Sequence, residues 1–236
     1  MSISVLTLSV RHEGLKLVEK SLKRQTYRDF EWVIVSPEKP TNLTLPFVWV
    51  KDAEKKPGNY WSIYASSNLG VKACQHPLIV SWQDYTYTNP DTLERFWRHY
   101  QTEPKTIVSA VGNKYTDETF TVMTWKDPRE RNDILRFYEC YPNDIEINLT
   151  SFAKEAFYAV GGFDETLDKY SSLCGLDVLV RLDKLGGWAF KLNQDIKSYS
   201  LEHGRLPNWS ENEPFNGPWQ AKQREYLDNP VLHYLP

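Results

Sequence analysis

Three polar or charged residues stand where β-rich apolar runs stop. Arg11 follows residues 4–10, Ser36 follows residues 30–35, and Asp84 lies two positions beyond the run 78–82. In open α/β sheets ligands sit in the crevice outside the carboxyl ends of the strands, so these stops are where a polar ligand would be held. The plainer role for Asp84 is to begin a turn by bonding nearby backbone. Asp177 is followed at i+4 by Arg181, a spacing at which the two can pair on one helix face. Pairing would lower the carboxylate's pKa and make it a poorer proton acceptor unless the pair rearranges on binding. The same residues also read as a helix cap with a surface ion pair. Asn68 shares a helix face with Trp61 and Tyr64. An amide on a buried face needs partners, either neighbouring backbone or a ligand. His203 offers a neutral imidazole of the kind that suits Mn2+, although a lone histidine also serves structural or exposed roles.

The elements that would position these residues can be read from periodicity. Residues 4–10 form a first strand rather than a charged leader. Leu15, Val18 and Leu22 then recur at helical spacing. A second strand covers 30–35 and a short third one 47–50. A helix follows Pro57-Gly58-Asn59, with Trp61, Tyr64, Ala65 and Leu69 on one side. After the strand that begins at Leu78, Asn89 can cap the next helix, with Pro90 at its first position and Asp91 complementing its dipole. Leu93, Phe96, Trp97 and Tyr100 make that helix's core-facing stripe. Strands and helices thus alternate through the first hundred residues, as in βαβ units on a mostly parallel sheet.

Beyond a strand at 107–111 the order loosens, and residues 116–148 are expected to supply loops over the site. A helix at 153–160 should end at Gly161-Gly162, and another should run from near Asp177 to Gly186-Gly187, followed by a strand at 188–192. In Gly161-Gly162-Phe163-Asp164-Glu165 the glycines permit a tight turn and Phe163 plugs the core, so Asp164 and Glu165 read as architecture. No repeat or linker divides the chain. The reading is one α/β domain, 1–204, with an extension, 205–236, packed on it.

Composition narrows the function. Hydrophobic residues make up 41% of the 236, enough for a sizeable core, which excludes intrinsic disorder. The net charge of −3 gives no footprint for non-specific nucleic-acid binding. No apolar run approaches the length of a membrane span. Cys74, Cys140 and Cys174 are far apart and odd in number, which suggests neither a zinc site nor a disulfide framework and fits a reducing cytoplasm.

Several segments, in order, resemble family 2 glycosyltransferases. They are the opening strand at 4–10, then Ser21-Leu22-Lys23-Arg24-Gln25-Thr26-Tyr27 with Asp29-Phe30-Glu31-Trp32-Val33-Ile34-Val35. Ala65-Ser66-Ser67-Asn68-Leu69-Gly70 follows, then Val160-Gly161-Gly162-Phe163-Asp164-Glu165, and Gly175-Leu176-Asp177. The resemblance covers residues 4 to about 204. It implies a GT-A fold, a Rossmann-like, mostly parallel sheet flanked by helices, and inverting transfer of a sugar from a nucleotide-diphosphate-sugar donor, with UDP as the expected nucleotide.

The same resemblance implies a glycan or other hydroxyl-bearing acceptor and a divalent metal, Mn2+ or Mg2+. It places Asp84 in the Asp-x-Asp position as a metal ligand, here with a single carboxylate, and His203 as a second ligand. Asp177 would be the general base, with Leu176 where the family carries a supporting Glu. Ser9, Val10 and Arg11 would hold the donor nucleotide through their backbone. Ser36, Glu38, standing in for the usual acid after strand two, and Asn68 would complete the donor site. Three alternatives stay open: a catalytically inactive nucleotide-sugar-binding module of the same fold, a nucleotidyltransferase on a related sheet, and a glycosyltransferase acting on modified bases in DNA.

Overall fold

The computed structural model describes residues 2–59, 62–131, 136–169 and 176–203. Its elements run β1 (Ile3–Leu8), α1 (His12–Leu22), β2 (Phe30–Ser36), β3 (Val48–Lys51), α2 (Ile63–Ala73), β4 (Leu78–Trp82), β5 (Thr86–Thr88) and α3 (Thr92–Thr102). There follow β6 (Thr106–Tyr115), β7 (Met123–Trp125), β8 (Phe137–Glu139), β9 (Leu149–Ala153), α4 (Lys154–Ala159), α5 (Leu176–Leu185) and β10 (Ala189–Leu201), with 3-10 turns at Pro142–Asp144 and Glu165–Lys169. Trp61, residues 170–175 with Cys174, and residues 205–236 lie outside the described residues.

A single sheet runs in the order β3-β2-β1-β4-β9-β6-β10-β5, with β7 beside β6 and β8 beside β10. Strands β3, β2, β1 and β4 are all parallel, as are β6 and β10. The expected parallel βαβ half is therefore present. The parallel pattern stops at β9, which inserts antiparallel between β4 and β6. This strand lies between the stretch read as loops, 116–148, and the helix expected at 153–160, where no strand was expected. Its register sets Trp82 opposite Leu149, so the carboxyl end of β4 meets the start of β9.

Alternation along the strands explains why helices cover both faces. Ile3, Val5, Trp32, Ile34, Val80 and Trp82 point to one side, where Leu15, Val18 and Leu22 of α1 and Leu93 and Phe96 of α3 close over them. Leu6, Val33, Val35 and Ile79 point to the other, against Val71 of α2 and Phe157 of α4. Ile107 and Phe190 continue that second face beneath Val178, Leu179 and Leu182 of α5. Each such fully buried side chain contributes about 1.5–3 kcal/mol of apolar transfer, so a helix with three of them is firmly seated.

Several local expectations change. α2 starts at Ile63, and its buried face carries Tyr64, Asn68 and Val71, while Leu69 is exposed. Asn89 does not cap α3, since its Oδ1 accepts the backbone N–H of Lys197 on β10 at 3.0 Å, and α3 begins at Thr92 after Asp91. β10 is also much longer than the strand expected at 188–192. It carries a bulge between Asn193 and Lys197, beyond which it runs on beside β6 and picks up β5 antiparallel. That extension delivers residues 201–203 to the carboxyl ends of β1 and β4. No helix among the described residues is long and apolar enough to cross a membrane.

Candidate donor site at the strand tips

β1 ends at Leu8, and the next residues turn into α1. Ser9 is buried there, its N–H donating to the Val35 carbonyl of β2 at 2.9 Å. Its Oγ lies 2.9 Å from Asp84 Oδ2 and 2.8 Å from the Arg11 carbonyl, and it accepts the Arg11 N–H at 3.2 Å. One hydroxyl thus ties the tip of β1 to the tip of β4. Burial pushes the Asp84 carboxyl up from its ordinary value, against the hydrogen bond from the Ser9 hydroxyl and the nearby Arg11 guanidinium, which pull it down.

Arg11 stands at the start of α1, and its Nη1 is 2.7 Å from His203 Nδ1. The guanidinium cannot lose its proton, so it donates and Nδ1 accepts. His203 also packs on Tyr85, ring centroids 4.8 Å apart, and the Arg11 guanidinium lies 6.0 Å from the Tyr85 ring centre. Tyr85 holds a left-handed backbone, φ +57°, a conformation that costs a side-chain-bearing residue about 1–2 kcal/mol.

Gly14, in the first turn of α1, is what allows that turn. A Cβ there would come within 2.4 Å of the Tyr85 ring and 2.8 Å of its backbone nitrogen. Tyr85 is further fixed by donating its N–H to the Gly14 carbonyl at 3.3 Å, and its carbonyl accepts the Leu201 N–H at 2.9 Å. Behind it, Thr86 Oγ1 bonds Asn148 Oδ1 at 2.8 Å, and Asn148 Nδ2 donates to Ser200 Oγ at 2.9 Å. Sequence reading missed Gly14, Tyr85 and Asn148. A glycine in the opening turn of a helix, where it weakens the helix, was the only available signal.

Ser36 is buried at the end of β2, its Oγ donating to the Glu38 carbonyl at 2.7 Å. Glu38 and Val10 are exposed on the rim. Asn68 does not belong to this cluster. Its Oδ1 accepts the Phe163 N–H at 2.9 Å, and its Nδ2 donates to the Phe163 carbonyl and to Glu165 Oε1, both at 3.0 Å. Of the two partners open to that amide, neighbouring backbone is the one realised. Gly162, at φ +80°, fits against it, since a Cβ there would stand 2.9 Å from Asn68 Oδ1.

Asp177 is placed differently from the expectation of a general base. It is fully buried, and so is Arg181, which makes the pair a core feature rather than a surface one. Its Oδ2 accepts the Asp164 N–H at 2.9 Å and its Oδ1 the Arg181 Nε at 2.9 Å. The guanidinium also donates to the carbonyls of Val160 and Gly162. The Arg181 pairing pulls the Asp177 carboxyl down, as expected, but burial outweighs it and holds the carboxyl above its ordinary value. The carboxylate and its arginine hold the Gly161-Gly162 turn onto α5. A base must reach the acceptor's proton, and the Asp177 carboxylate is fully buried, bonded to Arg181 and to the Asp164 N–H.

The expected metal ligands do not fit a cation in this arrangement. His203 Nδ1 is taken by Arg11, and in the neutral ring Nε2 then carries the proton, so neither nitrogen offers a lone pair. Asp84 Oδ2 accepts a hydrogen bond from the Ser9 hydroxyl at 2.9 Å. No group of three or more His, Cys, Asp or Glu able to hold a metal occurs among the described residues.

The sheet and its flanking helices share the GT-A fold of the solved glycosyltransferase structures that the chain matches. Among solved structures the chain resembles GalNAc-T7, crystallised with UDP, GalNAc and Mn2+, with a TM-score of 0.64 at 11% identity, over 90% of this chain and 46% of that one. S. aureus TarS matches with a TM-score of 0.57 at 13% identity, over 86% of this chain and 37% of that one. TarS 1-349 matches with 0.57 at 14% identity, over 85% and 60%. The chain therefore spans less than two thirds of each of these structures. No family model matches the chain, and no curated protein matches it in sequence.

Proposed function

We propose that this chain binds a nucleotide-diphosphate sugar over the tips of β1 and β4 and transfers its sugar to a hydroxyl-bearing acceptor such as a glycan. The observation that carries this reading is the Ser9–Asp84–Arg11–His203 cluster, assembled at the carboxyl ends of strands on a GT-A sheet. Ser9 and Val10 bring backbone to the rim, and Ser36 and Glu38 flank it from β2. Arg11 supplies positive charge, which a diphosphate requires. The inverting, single-displacement course implied by the sequence resemblance needs a base other than Asp177 where it stands.

One observation favours a second reading. Asp177 is buried and ion-paired, which suits a GT-A domain that holds a nucleotide sugar without transferring it. Titrating the chain with UDP, GDP and dTDP sugars and following nucleotide release with a panel of hydroxyl acceptors separates the two. Release that saturates with donor and depends on acceptor supports transfer. Tight binding without release supports the module, and no binding of any nucleotide sugar removes both.

A further inference from the structure

A row of four residues leads from the strand tips to solvent across four strands. Thr86 on β5 stands opposite Ser200 on β10, Ser200 opposite Lys114 on β6, and Lys114 opposite Trp125 on β7. Side chains paired in this way project to one face of a sheet. The row begins two residues beyond Asp84, where Thr86 and Ser200 are buried with their hydroxyl oxygens 3.1 Å apart. It ends at Lys114 and Trp125, both exposed. Three strand spacings separate its ends, roughly 14 Å.

The exposed end combines an aromatic face with a cation. The Lys114 Nζ lies 5.6 Å from the centre of the Trp125 ring. No acid among the described residues pairs with Lys114, whereas Lys20, Lys191 and Lys197 each hold a carboxylate. The negative face of an indole attracts the C–H groups of a sugar ring, and its large apolar surface gains from being covered. The ammonium is a compact point charge at the edge of that surface, placed to meet an acid on the same saccharide.

We infer that Trp125 and Lys114 form an acceptor platform: the hydroxyl-bearing acceptor is an acidic oligosaccharide, with one sugar ring on the indole and its carboxylate on the Lys114 ammonium. This rests on the donor-site reading above and names the acceptor class for it. A chain of sugar rings laid along the row from Trp125 brings a hydroxyl at its far end to the strand tips. A nucleic-acid strand also stacks on aromatic rings, but it needs a positive groove along its backbone. This row offers a single lysine, on a chain of net charge −3.

The test is calorimetric titration of the full chain with hexagalacturonate, with its carboxyl-reduced neutral counterpart and with a thymidine hexanucleotide. Hexagalacturonate should bind saturably, about fivefold or more tighter than the neutral chain, and more weakly as salt is added. Trp125→Ala should weaken that binding by about tenfold or more, and Trp125→Phe should recover part of the loss. Lys114→Ala should weaken hexagalacturonate by about fivefold and move the neutral chain by less than about twofold. UDP affinity, titrated separately, should stay within about twofold of the parent in all three variants, and melting curves should show them folded.

Absence of saturable hexagalacturonate binding overturns the inference, as does a Trp125→Ala variant that binds it as tightly as the parent. A neutral chain bound as tightly as the acidic one overturns it too. So does a thymidine hexanucleotide bound more tightly than hexagalacturonate, with the same loss in Trp125→Ala. Each of these results leaves the donor-site reading intact. Failure of UDP, GDP and dTDP to bind overturns the donor-site reading, and with it the acceptor role, whatever the saccharides do.

Discussion

Replacing Asp177 separates a structural carboxylate from a catalytic one. In Asp177→Ala the Arg181 guanidinium keeps the Val160 and Gly162 carbonyls but loses its counter-charge, and the Asp164 N–H loses its acceptor. Breaking a buried pair from one side costs about 3–5 kcal/mol, which for a chain of this size lowers Tm by roughly 6–20 °C. The same interior tolerates an apolar pair of similar volume, so Asp177→Leu with Arg181→Met should recover most of that loss.

The milder Asp177→Asn keeps the shape and one acceptor oxygen. Its Tm, followed by circular dichroism, should fall, while nucleotide release measured well below that Tm should stay within a few-fold of the parent. A general base would behave in the opposite way, since its removal costs about 10²–10⁴ in rate. An Asn variant with an unchanged Tm and release reduced a hundredfold would refute the structural assignment. It would show that the carboxylate leaves Arg181 to reach the acceptor.

Gly14→Ala should displace Tyr85 and, through it, His203, weakening UDP binding while costing about 1–3 kcal/mol of stability from overpacking; unaltered UDP affinity would show that the Tyr85 turn does not serve the site. Asn68→Ala strands the Phe163 N–H and carbonyl and should cost about 1–3 kcal/mol in denaturant unfolding, with UDP affinity unmoved; a loss of affinity without a loss of stability would return Asn68 to the donor site. For Asp84→Asn the sign follows from a folded-state pKa raised by burial. The ionised parent is penalised on folding at pH values above that raised pKa, so the Asn variant should melt higher near neutral pH. The advantage should shrink as pH falls through the folded pKa towards the unfolded value, where both carboxyls are protonated. An advantage independent of pH would show that ionisation is not its cause.

Much of the fold was legible because its determinants are local. The apolar run of residues 30–35 and the i, i+3, i+4, i+7 stripe of α3 are properties of single elements, and both were realised. The position of β9 was not legible, since an antiparallel insertion between β4 and β6 depends on pairing across dozens of residues. The length of β10 was hidden for a related reason. Its bulge at Asn193 and Lys197 interrupts the alternation that a reader would follow. At the site, Asp84 and Arg11 were visible as polar stops after apolar runs. Their link through Ser9, and the role of Gly14, depend on the φ of Tyr85, which no spacing encodes. The i+4 relation of Asp177 and Arg181 gave the pair, but only tertiary packing could make it a core pair.

A simple structural joint would account for the strand-tip cluster if it were cheap, and it is not. Tyr85 occupies a conformation that glycine would adopt at almost no cost. Asp84 is held where burial opposes its charge, and Arg11 is fixed by a histidine although α1 could be entered with an ordinary serine or asparagine cap. Apolar residues at the same positions would join β1, β4 and β10 with fewer penalties. Strain and misplaced charge concentrated at one end of an otherwise well-packed sheet are what a binding site imposes on a fold. The buried Asp177–Arg181 pair, by contrast, is bonded to backbone around the Gly161-Gly162 turn. On the proposed donor-site reading, donor recognition rests on the Ser9–Asp84–Arg11–His203 cluster and structural integrity on the Asp177–Arg181 pair. Substitutions at the first should change binding more than melting, and substitutions at the second should do the reverse.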